Sequence, residues 1–315
     1  MLQPEGQDTA SSEGMVRTCS IWRALEVVGD VPTLLILEAI WLGDLRFGAI
    51  VDRTGLSKPL ISERLKKLVA NGLLKRVPYC ERPLRYEFRL ERKGRDLFPV
   101  TMMLLRWEKM WSGHRENVAI SLVHESCGKT CVPQLGCGHC GEVVAYRDIE
   151  WQEGPGLGWM KPDYTRRRQQ RNRSELADTL TLFTDAAELL GDRWSSLIMR
   201  SAFTGLNRYD EMQADSAMAT NILSERLAWL VERDFLKAKA YQQGPTRYSY
   251  HPTAKAYDYL PVLLMLQRWG DQYFASKDGP PVILRHKSCG ALLSLVATCD
   301  QCGDELEQGS VSLKS

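Results

Sequence analysis

The chain lacks any long apolar run. Its hydrophobic stretches are short, as at Leu34-Leu35-Ile36-Leu37, far below the roughly 18 residues that a membrane-spanning helix needs. The first fourteen residues, MLQPEGQDTASSEG, have neither the basic start nor the apolar stretch of a secretory signal, so a cytoplasmic location is expected. Thiols stay reduced there, and the nine cysteines, an odd number, then favour metal ligands and free thiols over a disulfide framework. Histidine is scarce, with five residues. There is no Gly-rich phosphate loop, no nucleophile elbow and no His-Glu-x-x-His helix, so an enzyme is not expected. Neither sign of charge dominates: 41 Lys and Arg face 39 Asp and Glu, which leaves nucleic-acid binding to be judged from where the charge sits. With 44% hydrophobic and 25% charged residues, the composition excludes a disordered chain, a collagen and a coiled-coil rod.

What is present is a repeat. Gly29-Asp30 returns as Gly191-Asp192, Ser62-Glu63-Arg64-Leu65 as Ser224-Glu225-Arg226-Leu227, and Arg85-Tyr86 as Arg247-Tyr248. Pro99 returns as Pro261, and Arg106-Trp107 as Arg268-Trp269. Every pair is 162 residues apart, where chance matches would scatter. The chain is a tandem duplication, with copy one near 15–146 and copy two near 175–308. The expected division is a disordered segment 1–14, a first domain 15–113, a Cys/His knuckle 114–150, a linker 151–174, a second domain 175–275, a second knuckle 276–308 and a tail 309–315.

Within copy one, Ile21, Leu25 and Val28 recur at helical spacing. Asp30 followed by Pro32 signals the start of a second helix, running to about Leu42. A short helix around Phe47–Gly55 and a third over Ser57–Asn71 follow, the latter with Ile61, Leu65 and Leu68 on one stripe, repeated as Leu223, Leu227 and Leu230. Leu73–Val77 and Arg85–Leu90 suit two short strands joined by a loop. Arg92 to about Trp111 suits one long amphipathic helix. Short helix, turn, third helix and β-hairpin together make a winged helix-turn-helix. The fold class expected is therefore mainly α with small β-hairpin wings (α+β), as two winged helix-turn-helix domains, each followed by a small zinc-ribbon-like knuckle.

The charge is concentrated where this motif meets DNA. From Ser57 to Arg95 there are twelve Lys and Arg against four acids; the matching stretch of copy two, Ala219 to Tyr257, has six against three. Basic side chains on such a face displace the counterions condensed on phosphates. Copy one is therefore expected to be the main DNA reader. The N-terminal half of a recognition helix reaches base edges, which nominates Ser57, Lys58, Pro59, Ser62 and Lys66, and in copy two Thr220, Asn221 and Ser224. Arg82, Arg85 and Arg247 are the wing contacts, with packing against the neighbouring Tyr as the competing role for Arg85 and Arg247. Glu63 and Arg64 pair with neighbours in this reading. The cluster Arg166–Arg173 is either a solvated linker or an arm that reaches DNA.

After each long helix stands His-x2-Cys-x9-Cys-x2-Cys: His124, Cys127, Cys137 and Cys140, then His286, Cys289, Cys299 and Cys302. Glycine follows Cys127, Cys140, Cys289 and Cys302, at Gly128, Gly141, Gly290 and Gly303, as tight metal-binding turns require. Three thiolates and one imidazole in each knuckle suit a closed, structural Zn²⁺ site; a metal-free turn is the alternative. Cys131 and His139 have no counterparts in copy two, where Leu293 and Gln301 stand, and are left out of the ligand set.

Cys19-Ser20-Ile21, Gly29-Asp30, Arg46-Phe47, Ser62-Glu63-Arg64-Leu65, Gly72-Leu73-Leu74, Arg85-Tyr86-Glu87-Phe88 and Glu91-Arg92-Lys93-Gly94 together resemble the HxlR-type group of bacterial winged-helix transcriptional regulators, relatives of the MarR-type group. The likeness covers about 17–112 and, more weakly, 179–274. It implies a regulator that binds double-stranded DNA and dimerises through its terminal helices. Most members carry one copy, so this chain is expected to be either an intramolecular pseudo-dimer or a homodimer. The resemblance also implies redox sensing for a cysteine at the place of Cys19, although Thr181 stands there in copy two. Met102, Met103, Trp107, Met110, Trp111, Met265 and Trp269 are expected in the core or dimer interface, with a pocket for an unknown small-molecule effector as the alternative. Two other functions fit the residues less closely: a protein-interaction scaffold of winged-helix fold, and a thiol- and zinc-based redox-responsive regulator.

Overall fold

The computed structural model describes residues 15–113, 121–161, 182 and 184–314. Copy one contains β1 (Val16–Arg17), α1 (Ser20–Val28), α2 (Val31–Trp41), α3 (Phe47–Thr54), α4 (Lys58–Ala70), β2 (Leu74–Glu81), β3 (Leu84–Leu90), α5 (Arg92–Arg95) and α6 (Phe98–Trp111). Small strands follow: β4 (Ser121–His124), β5 (Lys129–Thr130), β6 (Pro133–Cys137), β7 (Ile149–Glu153) and β8 (Trp159–Met160). Copy two contains α7 (Thr184–Gly191), α8 (Arg193–Phe203), α9 (Tyr209–Ser216), α10 (Thr220–Glu232), β9 (Leu236–Gln242), β10 (Arg247–Pro252), α11 (Ala254–Phe274), β11 (Val282–His286), β12 (Leu295–Cys299) and β13 (Val311–Lys314). The Arg166–Arg173 cluster lies outside the described residues.

Local chemistry explains the helix ends. Asp30 caps α2 by accepting from Thr33 N at 3.0 Å, and Asp192 caps α8 by accepting from Trp194 N and Ser195 N. The stripes Ile61–Leu65–Leu68 and Leu223–Leu227–Leu230 are buried, which seats α4 and α10 on their domains. Each wing is an antiparallel hairpin, β2 with β3 and β9 with β10.

One expectation fails in copy one. Residues 92–111 form two helices, α5 and α6, instead of one, while copy two has a single 21-residue helix with Pro261 inside it. Pro99 falls in the first turn of α6, where its missing N–H leaves nothing unpaired. Its equivalent Pro261 sits inside α11, so proline alone does not break the helix. The copies also differ at Gly94, where copy two has Ala256, and glycine is the weaker helix former. At that point the backbone is tight: a Cβ on Gly94 would lie 2.4 Å from the carbonyl oxygen of Leu73.

The two copies share one core and interlock about a pseudo-two-fold axis. Trp107 Nε1 donates to the carbonyl of Lys255 at 3.1 Å, and Trp269 Nε1 donates to that of Lys93 at 2.9 Å, each being the other's image in the repeat. Trp111 donates to Asp258, and Tyr273 to Asp96, in the same reciprocal way. α11 packs on both α1 and α6, and α6 packs on α7. Reciprocal contacts of this kind define an isologous interface, here made within one chain. α11 and α1 approach closely, and a Cβ on Gly270 would fall 2.2 Å from the Ser20 carbonyl oxygen. Copy one places Glu108 at the equivalent position, and its carboxylate accepts from Asp185 N and Ala186 N at the start of α7. The expected core assignment holds for Met102, Met103, Trp107, Met265 and Trp269, which are buried, while Met110 is exposed and Trp111 half-buried.

The knuckle strands exchange between copies. β6 pairs with β12 antiparallel, with Leu135 opposite its own image Ala297, so the axis passes between them. β13, at the end of copy two, pairs with β4 of copy one, while β7 pairs with β11. Val311 opposite His124 and Ile149 opposite His286 are images of one another.

Candidate nucleic-acid interface and metal clusters

α4 projects its N-terminal half outward. Lys58, Pro59 and Lys66 are exposed, as is the cap residue Ser57, and Ser62 is half-exposed. Lys58, Ser62 and Lys66 follow at four-residue intervals and so share one face. In copy two Thr220, Asn221 and Ser224 are all exposed, and Tyr209 OH lies 3.2 Å from Ser224 Oγ. Arg82, Arg85 and Arg247 are exposed on the wings, and their guanidinium groups have no ion pair or hydrogen bond among the described residues. The ring of Tyr86 is covered by Arg76, whose Cζ lies 4.1 Å from the ring centroid, and not by Arg85.

Several of the twelve basic residues counted in the sequence are spent inside the protein. Lys67 is half-buried and donates to the Glu26 carbonyl at 2.6 Å. Burial is the main cause that holds its ammonium below the usual lysine range. Arg64 pairs with Asp30 at 2.9 Å and Glu63 at 3.1 Å, and Arg226 pairs with Asp192 and Glu225 in the same way. The repeated Gly-Asp and Ser-Glu-Arg-Leu motifs are thus two ends of one clamp, from the cap of α2 or α8 to the recognition helix. Lys75 pairs with Glu91 and Arg89 with Glu87, and Lys93 Nζ sits 3.9 Å from the Phe274 ring centroid. A feature absent from the sequence reading is an Arg–Tyr stack at each wing, Arg46 over Tyr79 at 4.3 Å and Arg208 over Tyr241 at 4.9 Å. These pairs are also 162 residues apart, so the repeat carried the signal.

The eight Cys and His positions gather into two clusters, but not the two expected. Each knuckle is split between copies. His124 and Cys127 stand with Cys299 and Cys302, and Cys137 and Cys140 stand with His286 and Cys289, the ligand atoms of each cluster within 4.8 Å of one another. The reason is the pairing of β6 with β12, which runs the strand leading to Cys137 alongside the strand leading to Cys299 in opposite directions. Each Cys-x2-Cys turn is thereby carried to the His-x2-Cys turn of the other copy. The knuckles are therefore not self-contained ribbons.

All four turns have one geometry. Gly128, Gly141, Gly290 and Gly303 have φ between 67° and 79°, and each donates its N–H to the carbonyl of the ligand residue four positions earlier, at 2.7–2.9 Å. Only glycine takes that backbone without strain. Cys302 Sγ and Cys127 Sγ lie 3.3 and 3.7 Å from His124 Nδ1; Cys140 Sγ and Cys289 Sγ lie 3.3 and 3.4 Å from His286 Nδ1. A tetrahedral Zn²⁺ with bonds of about 2.3 Å to sulfur and about 2.0 Å to nitrogen sets such S···N edges at about 3.6 Å. The donor set and its spacing fit that ion. Burial raises the Cys299 thiol, but the backbone N–H groups of Gln301 and Cys302 outweigh it and leave it lowered. Cys137 is lowered by the equivalent N–H groups of His139 and Cys140. Cys131 is buried and groups with Cys299 and Asp300, though the repeat gives it no counterpart. Burial, with the neighbouring Cys299, pushes its thiol up to about 12. His139 belongs to neither cluster.

With two helix-turn-helix units and their wings in place, the comparison with known proteins is specific. The description of HxlR-like helix-turn-helix proteins matches residues 27–116 and again 189–278. The chain belongs to the HxlR-like helix-turn-helix family. The two matched spans are themselves 162 residues apart at both ends. An HTH-type transcriptional regulator of Mycobacterium tuberculosis is 42% identical over 138 residues, which are 44% of this chain and 87% of that protein. One from Methanothermobacter thermautotrophicus is 32% identical over 113 residues, covering 36% of this chain and 84% of its own. A solved Pseudomonas aeruginosa structure, described as that of a transcription factor, is 35% identical, covers 41% of this chain and 87% of its own, and has a TM-score of 0.33. The two regulators match about one copy's length of this chain, which carries two copies. The family and the named relatives are transcriptional regulators, not enzymes. No helix among the described residues is long and apolar enough to cross a membrane.

Proposed function

We propose that this HxlR-like protein is a transcriptional regulator that binds double-stranded DNA mainly through α4 and the β2–β3 wing. The observation that carries this reading is the set of exposed cations on those two elements that have no ion pair or hydrogen bond among the described residues, Lys58, Lys66, Arg82 and Arg85, on a helix-turn-helix whose Arg64 and Lys67 are half-buried and turned to partners within the protein. Ser57, Pro59 and Ser62 lie alongside at the helix N-terminus, where base edges are read. Thr220, Asn221, Ser224 and Arg247 form the second, weaker surface. The two copies act as an intramolecular dimer, an arrangement supported by the reciprocal Trp107–Lys255 and Trp269–Lys93 bonds and the exchanged strands. Zn²⁺ occupies both clusters as a structural ion with four protein ligands. It leaves no open position for catalysis and staples one copy to the other.

The test is binding to duplex DNA from upstream of its own gene, against a random duplex, over a salt series. A steep salt slope with a preference of about 10³-fold or more is expected. Lys58→Ala with Lys66→Ala should weaken binding by about tenfold or more and flatten the slope by about two counterions. Unchanged affinity in a folded double variant would reject α4 of copy one as the reader.

A further inference from the structure

We infer that one chain recognises a duplex of two unlike half-sites, an element without dyad symmetry that it binds in a single orientation. The inference rests on the DNA-binding reading above and adds the form of the DNA partner. A two-fold dimer of identical chains presents identical recognition helices, and its operator mirrors that symmetry. Here the framework of the two readers keeps the two-fold, and the side chains on their exposed faces abandon it.

The preserved part is the framework. The Asp30–Arg64 and Asp192–Arg226 pairs tie each recognition helix to its neighbour in the same way, and Arg46–Tyr79 and Arg208–Tyr241 brace the two wings alike. The two readers are therefore set at equivalent attitudes about one axis, inside one chain.

The chemistry they offer differs position by position. Lys58 of α4 corresponds to Thr220 of α10, Pro59 to Asn221 and Lys66 to Ala228, while Ser62 keeps its hydroxyl as Ser224. All six non-matching residues are exposed. Lysine in the major groove donates to the O6 and N7 acceptors of guanine and cannot pair with the N6 donor of adenine. An Asn amide pairs with adenine N6 and N7. The half-site under copy one should hold guanine, and that under copy two adenine. The wings diverge as well: Arg82 is replaced by Gly244 and Val77 by Lys239, with Arg85 and Arg247 in common.

The test begins with selection of bound sites from a random duplex library by the full chain. Four duplexes follow: the unlike pair, each half-site made into an inverted repeat, and the copy-one half-site beside random sequence. The expected outcome is one chain per duplex, with the unlike pair bound about tenfold or more above each of the other three. Thr220→Lys with Ala228→Lys should move the preference toward the inverted repeat of the copy-one half-site. Recovery of inverted repeats, equal affinity for the four duplexes, or two chains per duplex would overturn the inference. Equal affinity for the random-flanked duplex and the unlike pair would also overturn it, by showing that copy two reads nothing. Failure to bind any duplex, with folded protein confirmed, would instead bring down the DNA-binding reading and this inference with it.

Discussion

Glu38 lies on the seam between copies, where its Oε1 accepts from Leu182 N at 2.6 Å and its Oε2 is buried without a hydrogen-bond partner among the described residues. Burial, only partly offset by that hydrogen bond and by Arg53, raises its carboxyl from 4.5 to about 7. Between those two values the folded chain holds a proton that the unfolded chain has released. Stability contributed here is therefore present below about pH 4.5 and lost as pH rises toward 7, a change of about 3 kcal/mol at most. Glu38→Gln keeps the acceptor and removes the titration. Urea unfolding at pH 5 and pH 8 should show a smaller difference in the variant than in the parent; an unchanged difference would place the pH dependence elsewhere. Copy two has Arg200 at this position, paired with Asp215, so the two seams carry opposite charge patterns. No sequence pattern announced Glu38, because a charged residue in an apolar helix reads the same whether it faces water or the other copy. Lys67, one of the twelve basic residues counted between Ser57 and Arg95, is the same case: its charge is plain in the sequence, and its direction is not.

At the scale of elements, the recognition helix is seated from two sides. Its apolar stripe fills the domain core, and Arg64 ties its outer turn to the cap of α2. Asp30 serves both ends, accepting from Thr33 N and from Arg64 Nε. Asp30→Ala should lower stability by about 1–2 kcal/mol for the lost cap, with a further loss because a half-buried Arg64 keeps only Glu63. Denaturant unfolding reads the stability. DNA affinity should fall by more than global unfolding explains, since the freed helix must be ordered again on binding. The helix-turn-helix was legible because period, caps and stripe agree at every level. The division of residues 92–111 into α5 and α6 was not, since the same proline is tolerated within α11.

At the scale of the whole molecule, the decisive feature is the exchange of ligands between copies. Two ions per chain are expected by elemental analysis. The grouping has a sharp consequence for paired substitutions. Cys127→Ser with Cys302→Ser strikes a single cluster and should leave one ion; Cys127→Ser with Cys140→Ser strikes both and should lose two. Ligation within each copy would reverse those results. Chelation should lower the unfolding temperature and loosen the contact between copies, because an ion in either cluster would bridge them. The chain should also run as a monomer in light scattering, its dimer interface already being filled from within.

The sequence by itself determined what recurs along the chain: the duplication, the helix-turn-helix order, the wing, the Cys and His positions and the turns that present them. All of these are set by local spacing and by glycine, proline and capping chemistry, which act over a few residues. Which half of one knuckle meets which half of the other was decided only by the tertiary structure. Two copies with the same ligand spacing can close a tetrahedron within themselves or across the axis, and the local geometry of the turns is the same either way. The choice is made by β6 lying antiparallel to β12 and by helices α6 and α11 burying their tryptophans against each other's domains, contacts that join residues more than 140 positions apart.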